Sequence, residues 1–370
     1  MTQINISIKP SKTIEYPILI EGGLLTQPKR WLPKKTTQCV IINDDTVKNY
    51  YGEKLNETLK KINIDTLLLS FPAGELSKVH SIKQNLENKM FEHGCDRDTL
   101  LLALGGGVTG DLAGFVAATY LRGIPYLQLP TTLLAMVDSS VGGKTGINNH
   151  YGKNLIGAFI QPQAVVSDLH CLRTLPEEHQ LAGLIEAIKL LITHDKDFFE
   201  KLINFEKSDL LNDETLLCDM IARSVTIKSG IVERDEKEET GERSTCNFGH
   251  TIAHALEKMS DYQVLHGFAV ALGILVEIRI SQRVGILSEK DCLMIESFFE
   301  KLGFSTQQLQ EFDIDEIINA THFDKKVKSN QVHYVLLQEP GQVFKENNHF
   351  THPIKDQIVK ETLLAILKGT

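Results

Sequence analysis

Paired cysteines, an excess of basic residues and long hydrophobic runs are all missing from this 370-residue chain. Its six cysteines (Cys39, Cys95, Cys171, Cys218, Cys246 and Cys292) are scattered and form no C-x-x-C pair. A disulfide framework would be denser and shorter, so they read as reduced thiols of a reducing compartment. No basic region followed by an apolar run opens the sequence, so no secretory signal is expected and the location that follows is cytoplasmic. The longest apolar stretch, 268–280, is broken by Glu277 and Arg279. It is too short and too charged to cross a bilayer, and reads as a buried helix. A formal net charge of −9 argues against nucleic acid or an acidic membrane surface as partner. It leaves open a locally basic site for a small anion. No repeat or low-complexity tract stands out.

What is present is an ordinary globular composition, 42% hydrophobic and 24% charged, long enough for two domains. Ile4, Ile6 and Ile8 keep a period of two, as do Tyr16, Ile18 and Ile20 before Gly22-Gly23, which predicts an opening hairpin. Short apolar runs follow at 39–42, 66–69, 100–104, 126–129 and 164–166. Between two of them Val79, Ile82, Leu86 and Met90 recur at helical spacing, with Gly94 as a stop. Apolar strands alternating with amphipathic helices imply a parallel sheet covered on both faces. After Thr174-Leu175-Pro176 helical periodicity takes over, near 177–203, 209–233, 248–259, 265–285, 288–303 and 356–368, with one short strand at 332–337. The fold class is therefore α/β, with a Rossmann-like domain over 1–176 and a mostly helical domain over 177–370. The active site is expected in the cleft between them.

Three motifs carry chemistry. The run 100–104 ends in Gly105-Gly106-Gly107-Val108-Thr109-Gly110-Asp111, a G-x-G-x-x-G at a strand-to-helix turn where bare amides can approach a pyrophosphate. A tight turn of any α/β protein would look the same. No acidic residue follows 126–129 for a ribose hydroxyl, so an ordinary dinucleotide fingerprint is absent. Next, Asp138-Ser139-Ser140-Val141-Gly142-Gly143-Lys144-Thr145-Gly146 is similar to a P-loop but fails its spacing, because Asp138 stands where the first glycine belongs. With Gly152-Lys153-Asn154 it reads as a glycine-rich loop whose lysines suit phosphate or carboxylate. The competing reading is a solvated loop.

The third motif is a candidate metal group. His250 and His254 lie four apart on one helical face, a spacing that lets both reach a single ion, although such pairs are often plain polar surface. His266 opens the next helix, and Glu186 interrupts an apolar helical run three residues before Lys189. A buried glutamate is costly unless paired or coordinated. One carboxylate and histidine nitrogens with an open position make a catalytic zinc site. Spacing does not choose between His250 and His254.

Taken together, 105–107 with Gly110-Asp111, 130–134, 137–145, 152–154, Thr174-Leu175-Pro176 and 247–254 resemble the 3-dehydroquinate synthase family of sugar-phosphate cyclases. The resemblance runs from about 70 to 270 and thins toward Asp324-Lys325-Lys326. It implies conversion of 3-deoxy-arabino-heptulosonate 7-phosphate to 3-dehydroquinate and inorganic phosphate in aromatic amino-acid biosynthesis. NAD would take a hydride from C5 and return it within the same turnover. It implies a metal, zinc or cobalt, on Glu186, His250 and His266, with His254 beside it as a substrate-phosphate or supporting group. Asp138, Lys144, Lys153, Asn154, Lys189, Lys228, Arg243, Asn247 and Lys326 are implied for the anionic sugar-phosphate substrate. Arg122 would reach the neighbouring subunit's site, which implies a homodimer. NAD contacts are implied at Asp44, Glu75, Lys78, Gly106, Gly107, Val108, Asp111, Thr131, Thr132, Lys144, Lys153, Cys171, Leu172 and Thr174. Three departures stand out: Phe268 where the pattern has glutamate, Ala253 where it has glycine, and one extra residue near 235–240. The rival readings are a different sugar-phosphate cyclase, a zinc polyol dehydrogenase, and a catalytically dead homologue that still binds metal and NAD.

Overall fold

The computed structural model describes residues 13–322, 327–328 and 331–368. Six strands form one parallel sheet: β1 (Ile18–Glu21), β2 (Gln38–Asp44), β3 (Asp65–Phe71), β4 (Leu100–Gly105), β5 (Tyr126–Pro130) and, after a separate hairpin, β8 (Val165–Asp168). Their order is β1-β8-β5-β4-β2-β3. Along β2 and β4 the side chains alternate strictly between two cores. Cys39, Ile41, Leu100, Leu102 and Leu104 face one, and Val40, Ile42, Leu101 and Ala103 the other. Both faces are thus buried, as parallel strands require. The second face is covered by α2 (His80–Glu92) and α3 (Gly107–Thr119). The first face carries α1 (Glu53–Lys61) and packs on the C-terminal helices, so one continuous core crosses residue 176.

Those helices are α4 (Glu177–His194), α5 (Glu214–Arg234), α6 (His250–Met259), α7 (His266–Arg283), α8 (Glu289–Lys301) and α9 (Asp356–Lys368). The α/β class and the helical second half agree with the sequence reading. Details differ. The expected helix 177–203 is interrupted at Asp195, whose carboxylate caps Lys196–Leu202 by accepting from Phe198 N. The expected 209–233 helix is two, because Asp213 caps the second in the same way. The strand read at 332–337 is two, Gln331–Tyr334 and Leu337–Glu339, while a short helix, Ile314–Thr321, and further two-residue strands carried too little periodicity to be read.

Two expectations need correcting. The segment read as one glycine-rich loop is a π-helical turn, Ala135–Ser139, followed by an antiparallel hairpin, β6 (Lys144–Asn149) and β7 (Gly152–Phe159). Glycines hid it: Gly146 and Gly157 let the two backbones close, since a Cβ on Gly157 would stand 2.0 Å from Thr145 O. The opening hairpin is half outside the described residues, which do not include 4–8. Its second half, β1, pairs in parallel with β8.

The chain steps from β3 to β4 across β2, so the loops leaving the adjacent β2 and β4 run to opposite sides. Ligands bind open α/β sheets in the crevice at such a point, outside the carboxyl ends of the strands.

Candidate active site

The site begins with a helix that is buried along most of its length. In α4 every residue from Leu181 to Thr193 is buried, Glu186 and Lys189 included. Small residues set how closely its neighbours approach. A Cβ on Gly183 would lie 2.3 Å from Leu134 N, so α4 packs against the turn that carries Asp138. A Cβ on Gly267 would lie 2.2 Å from Ala182 O, which docks the first turn of α7, and hence His266, on α4. A Cβ on Gly273 would lie 1.9 Å from Gly249 O, which docks α7 on the start of α6 beside His250. Ala253 is fully buried at this same crossing, so its extra methyl relative to glycine is core packing.

These contacts converge Glu186, His250 and His266, whose ligand atoms lie within 4.8 Å of one another. Glu186 Oε1 is 3.5 Å from His250 Nε2 and 3.3 Å from His266 Nε2. That oxygen is buried and accepts no hydrogen bond. His250 Nδ1 lies 3.1 Å from the Phe248 carbonyl, which can only accept. Nδ1 therefore carries a proton, which leaves Nε2, facing Glu186, as the atom available to a metal. A carboxylate oxygen and two imidazole nitrogens gathered this closely are a donor set that fits a divalent metal such as zinc. His254 lies beside them, its ring 5.5 Å from that of His250, but it is exposed and outside the ligand group.

Electrostatics ties this group to the substrate-type residues. Burial would raise the Glu186 pKa, but Lys189 and then His266 outweigh it and hold the carboxylate at about 2. Lys189 Nζ donates to Glu186 Oε2 at 2.5 Å. Burial would lower the Lys189 pKa, and Glu186 with Asp138 raises it instead. Lys228 Nζ donates to the carboxylate and carbonyl of Asp138, at 2.6 and 2.5 Å. Burial would likewise raise Asp138, yet Lys228 leads the charges that keep it low. These are two lysine–carboxylate pairs side by side, the Lys189–Glu186 pair fully buried and the Lys228–Asp138 pair open on the Asp138 side.

The strand ends bring the cofactor candidates together. Asp44 ends β2, Gly106 caps α3 after β4, Thr131 and Thr132 follow β5, and Cys171, Leu172 and Thr174 lie in the turn after β8. Lys78 is buried and donates to Asp111 at 2.5 Å, and also to Asn154. Asn148 Nδ2 donates to Glu75 at 2.6 Å. The amides at the start of α3 and the strand-end crevice fit a dinucleotide pyrophosphate.

The loop near 235–240, where one extra residue was expected, is ordered by its own hydrogen bonds. Asp235 is buried and accepts from Thr240 N and Arg243 N, both at 3.0 Å, which closes the loop on itself. Arg243 is buried and donates to Glu236 O and Gly142 O. Lys144 pairs with Glu238 of the same loop, and both are half-exposed. Asn247 ends the short helix that leads into α6. Arg122 is exposed in a left-handed turn (φ 70°), and Lys326 lies outside the described residues.

Sequence reading missed Glu257 and Glu238. Glu257 stands 3.3 Å from His266 Nδ1 through Oε2. Its spacing was available: His250, His254 and Glu257 are i, i+4 and i+7 of one helix face. Phe268 does not face the metal group as a lost polar partner; its ring packs edge-on against Phe304, with centroids 5.2 Å apart.

A parallel sheet whose ligand-facing ends meet a helical half with a largely buried Glu-His-His group is the architecture shared with the sugar-phosphate cyclases. Residues 68–182 match the 3-dehydroquinate synthase N-terminal family, and 183–327 the 3-dehydroquinate synthase C-terminal family. The chain belongs to the 3-dehydroquinate synthase family. A 3-dehydroquinate synthase of Dehalococcoides mccartyi is 37% identical over 357 residues, 96% of each chain. One of Desulforamulus reducens is 41% identical over 334 residues, 89% of this chain and 92% of that one. Among solved structures, 2-deoxy-scyllo-inosose synthase complexed with carbaglucose-6-phosphate, NAD+ and Co2+ superposes with a TM-score of 0.83 at 27% identity. That match covers 94% of this chain and 95% of the other. No helix of the described residues is long and apolar enough to cross a membrane.

Proposed function

We propose that the chain converts 3-deoxy-arabino-heptulosonate 7-phosphate to 3-dehydroquinate and inorganic phosphate, using NAD and one divalent metal, zinc or cobalt. The observation that carries the reading is Glu186: a buried carboxylate with one oxygen free of hydrogen bonds and aimed at two imidazoles, the other held by Lys189. The metal would polarise substrate hydroxyls, and NAD would accept a hydride at C5 and return it after phosphate has left. Glu186, His250 and His266 would hold the metal; Asp44, Glu75, Lys78, Gly106, Gly107, Val108, Asp111, Thr131, Thr132, Cys171, Leu172 and Thr174 would line the NAD site.

The remaining residues bind and orient. Lys144, Lys153, Lys189, Lys228 and Arg243 gather positive charge for a substrate that carries both a carboxylate and a phosphate, inside a protein of net charge −9. Asp138 and Glu186 hold Lys228 and Lys189 in place, so the anion meets preorganised donors. Asn154 and Asn247 supply neutral hydrogen bonds to hydroxyls, and His254 stands at the exposed edge toward the phosphate. Residues 1–176 would form the NAD-binding unit and 177–370 the metal- and substrate-binding unit of a cytoplasmic homodimer completed by Arg122. With that heptulosonate phosphate, purified protein should release one phosphate per turnover with no accumulation of NADH. NADH rising in step with phosphate would overturn the reading and point to a dehydrogenase.

A further inference from the structure

His250 and His266 turn the same nitrogen, Nε2, toward Glu186, yet different groups hold the two rings. His250 Nδ1 faces a main-chain carbonyl two residues away, so its orientation is local to α6. His266 opens α7, and its Nδ1 faces Glu257 Oε2 at 3.3 Å. Glu257 is buried at the far end of α6. Its other oxygen, Oε1, lies 3.9 Å from Lys153 Nζ, and that ammonium sits 3.7 Å above the ring of Tyr262. The main chain is tied down as well: Glu257 O accepts from Tyr262 N at 2.7 Å and from Ser260 Oγ at 3.0 Å. The carboxylate is therefore fixed at both ends, between an imidazole and a lysine.

We propose that Glu257 is a positioning residue for the metal group: it accepts the Nδ1 proton of His266, fixes the tautomer that presents Nε2, and links that ring to Lys153 on β7. This rests on the metal reading above. A histidine whose distal N–H is held by a carboxylate is a better-oriented and more basic ligand, and losing such a partner typically costs ~10–100-fold in metal affinity. Phe268 fits the same account, since its ring is turned into apolar packing and Glu257 supplies the polar contact to His266.

The test is zinc affinity of the purified full-length protein, stripped and then titrated in competition with a chromogenic chelator. Glu257→Ala should bind zinc ~10–100-fold more weakly. Glu257→Gln, which still accepts from Nδ1–H, should restore most of the affinity. A residue that merely packs the end of α6 would lower the melting temperature of the metal-free protein and leave zinc affinity unmoved. Folded Glu257→Ala with wild-type affinity overturns the proposal, as does Glu257→Gln binding no better than Glu257→Ala. Should the alanine variant fail to fold, Glu257→Asp keeps the charge but withdraws the oxygen by one methylene. It should lose zinc affinity, and wild-type affinity there overturns the proposal equally. If the wild-type protein itself takes up no divalent metal, the metal reading fails instead, and the two failures are told apart in one experiment.

Discussion

At the residue scale the two histidines of α6 have different surroundings. His250 is buried with Nδ1 against a carbonyl, whereas His254 is exposed one turn on. Replacing His250 by Ala should therefore abolish both metal content and turnover. His254→Ala should stay folded and keep its metal while turnover falls; elemental analysis beside the phosphate assay checks both. The reverse pattern would show that the wrong histidine has been assigned. A third histidine, His194, gives a pH signature. Burial lowers its pKa from 6.5 to about 4, and it is held neutral between Thr193 and Thr245. The unfolded chain binds a proton at this residue near pH 6.5 and the folded chain only near pH 4. Stability from His194 is thus complete above pH 6.5 and is lost as pH falls toward 4, by about 3 kcal/mol at the limit. His194→Gln should flatten that part of the profile, read as the difference between urea midpoints at pH 7 and pH 4.5. No pattern in the sequence marked His194, because its effect comes from desolvation by helices distant in the chain.

Among the elements, close helix approach does the positioning. Gly273→Ala puts a methyl against Gly249 O and must push α7 away from α6. Overpacking of this kind costs typically 1–3 kcal/mol, so the melting temperature should drop, and zinc affinity with it, because His250 and His266 separate. Gly230 in α5 is the counter-case. A Cβ there would meet only the flexible end of Arg234, at 3.3 Å. Gly230→Ala should stabilise the protein by about 0.5–1 kcal/mol, since the helix no longer carries the extra chain entropy of glycine. Calorimetry on the two variants should therefore give shifts of opposite sign. Both glycines sit in helical patterns that read alike. The strands and long helices were legible from periodicity, because burial repeats at 2 or 3.6 residues. The β6–β7 hairpin was not, since glycines replace the alternating apolar residues that mark a strand.

At the scale of the whole molecule, Arg122 is exposed and stands in a left-handed turn just after α3. If Arg122 completes the partner's site, a mixture of two inactive variants should recover activity. Arg122→Ala mixed with His250→Ala forms heterodimers in which one site has its own metal ligands and an intact Arg122 from across the interface. Random exchange should then restore about a quarter of wild-type activity, as expected for a two-fold symmetric dimer. Absence of recovery after demonstrated subunit exchange would place Arg122 outside the neighbouring site. By itself the sequence determined the α/β class, the glycine turn after β4, the long helices and the residue types able to hold a metal and an anionic sugar. Those follow from periodicity, glycine chemistry and the cost of burying Glu186, all local properties. Only the tertiary structure decided which histidine joins Glu186, that Glu257 faces His266, that Lys228 meets Asp138, and that Phe268 turns into the core. Each of these depends on the distance between helices far apart in the chain, and that distance is set by side-chain volume at the crossings, as at Gly267 and Gly273.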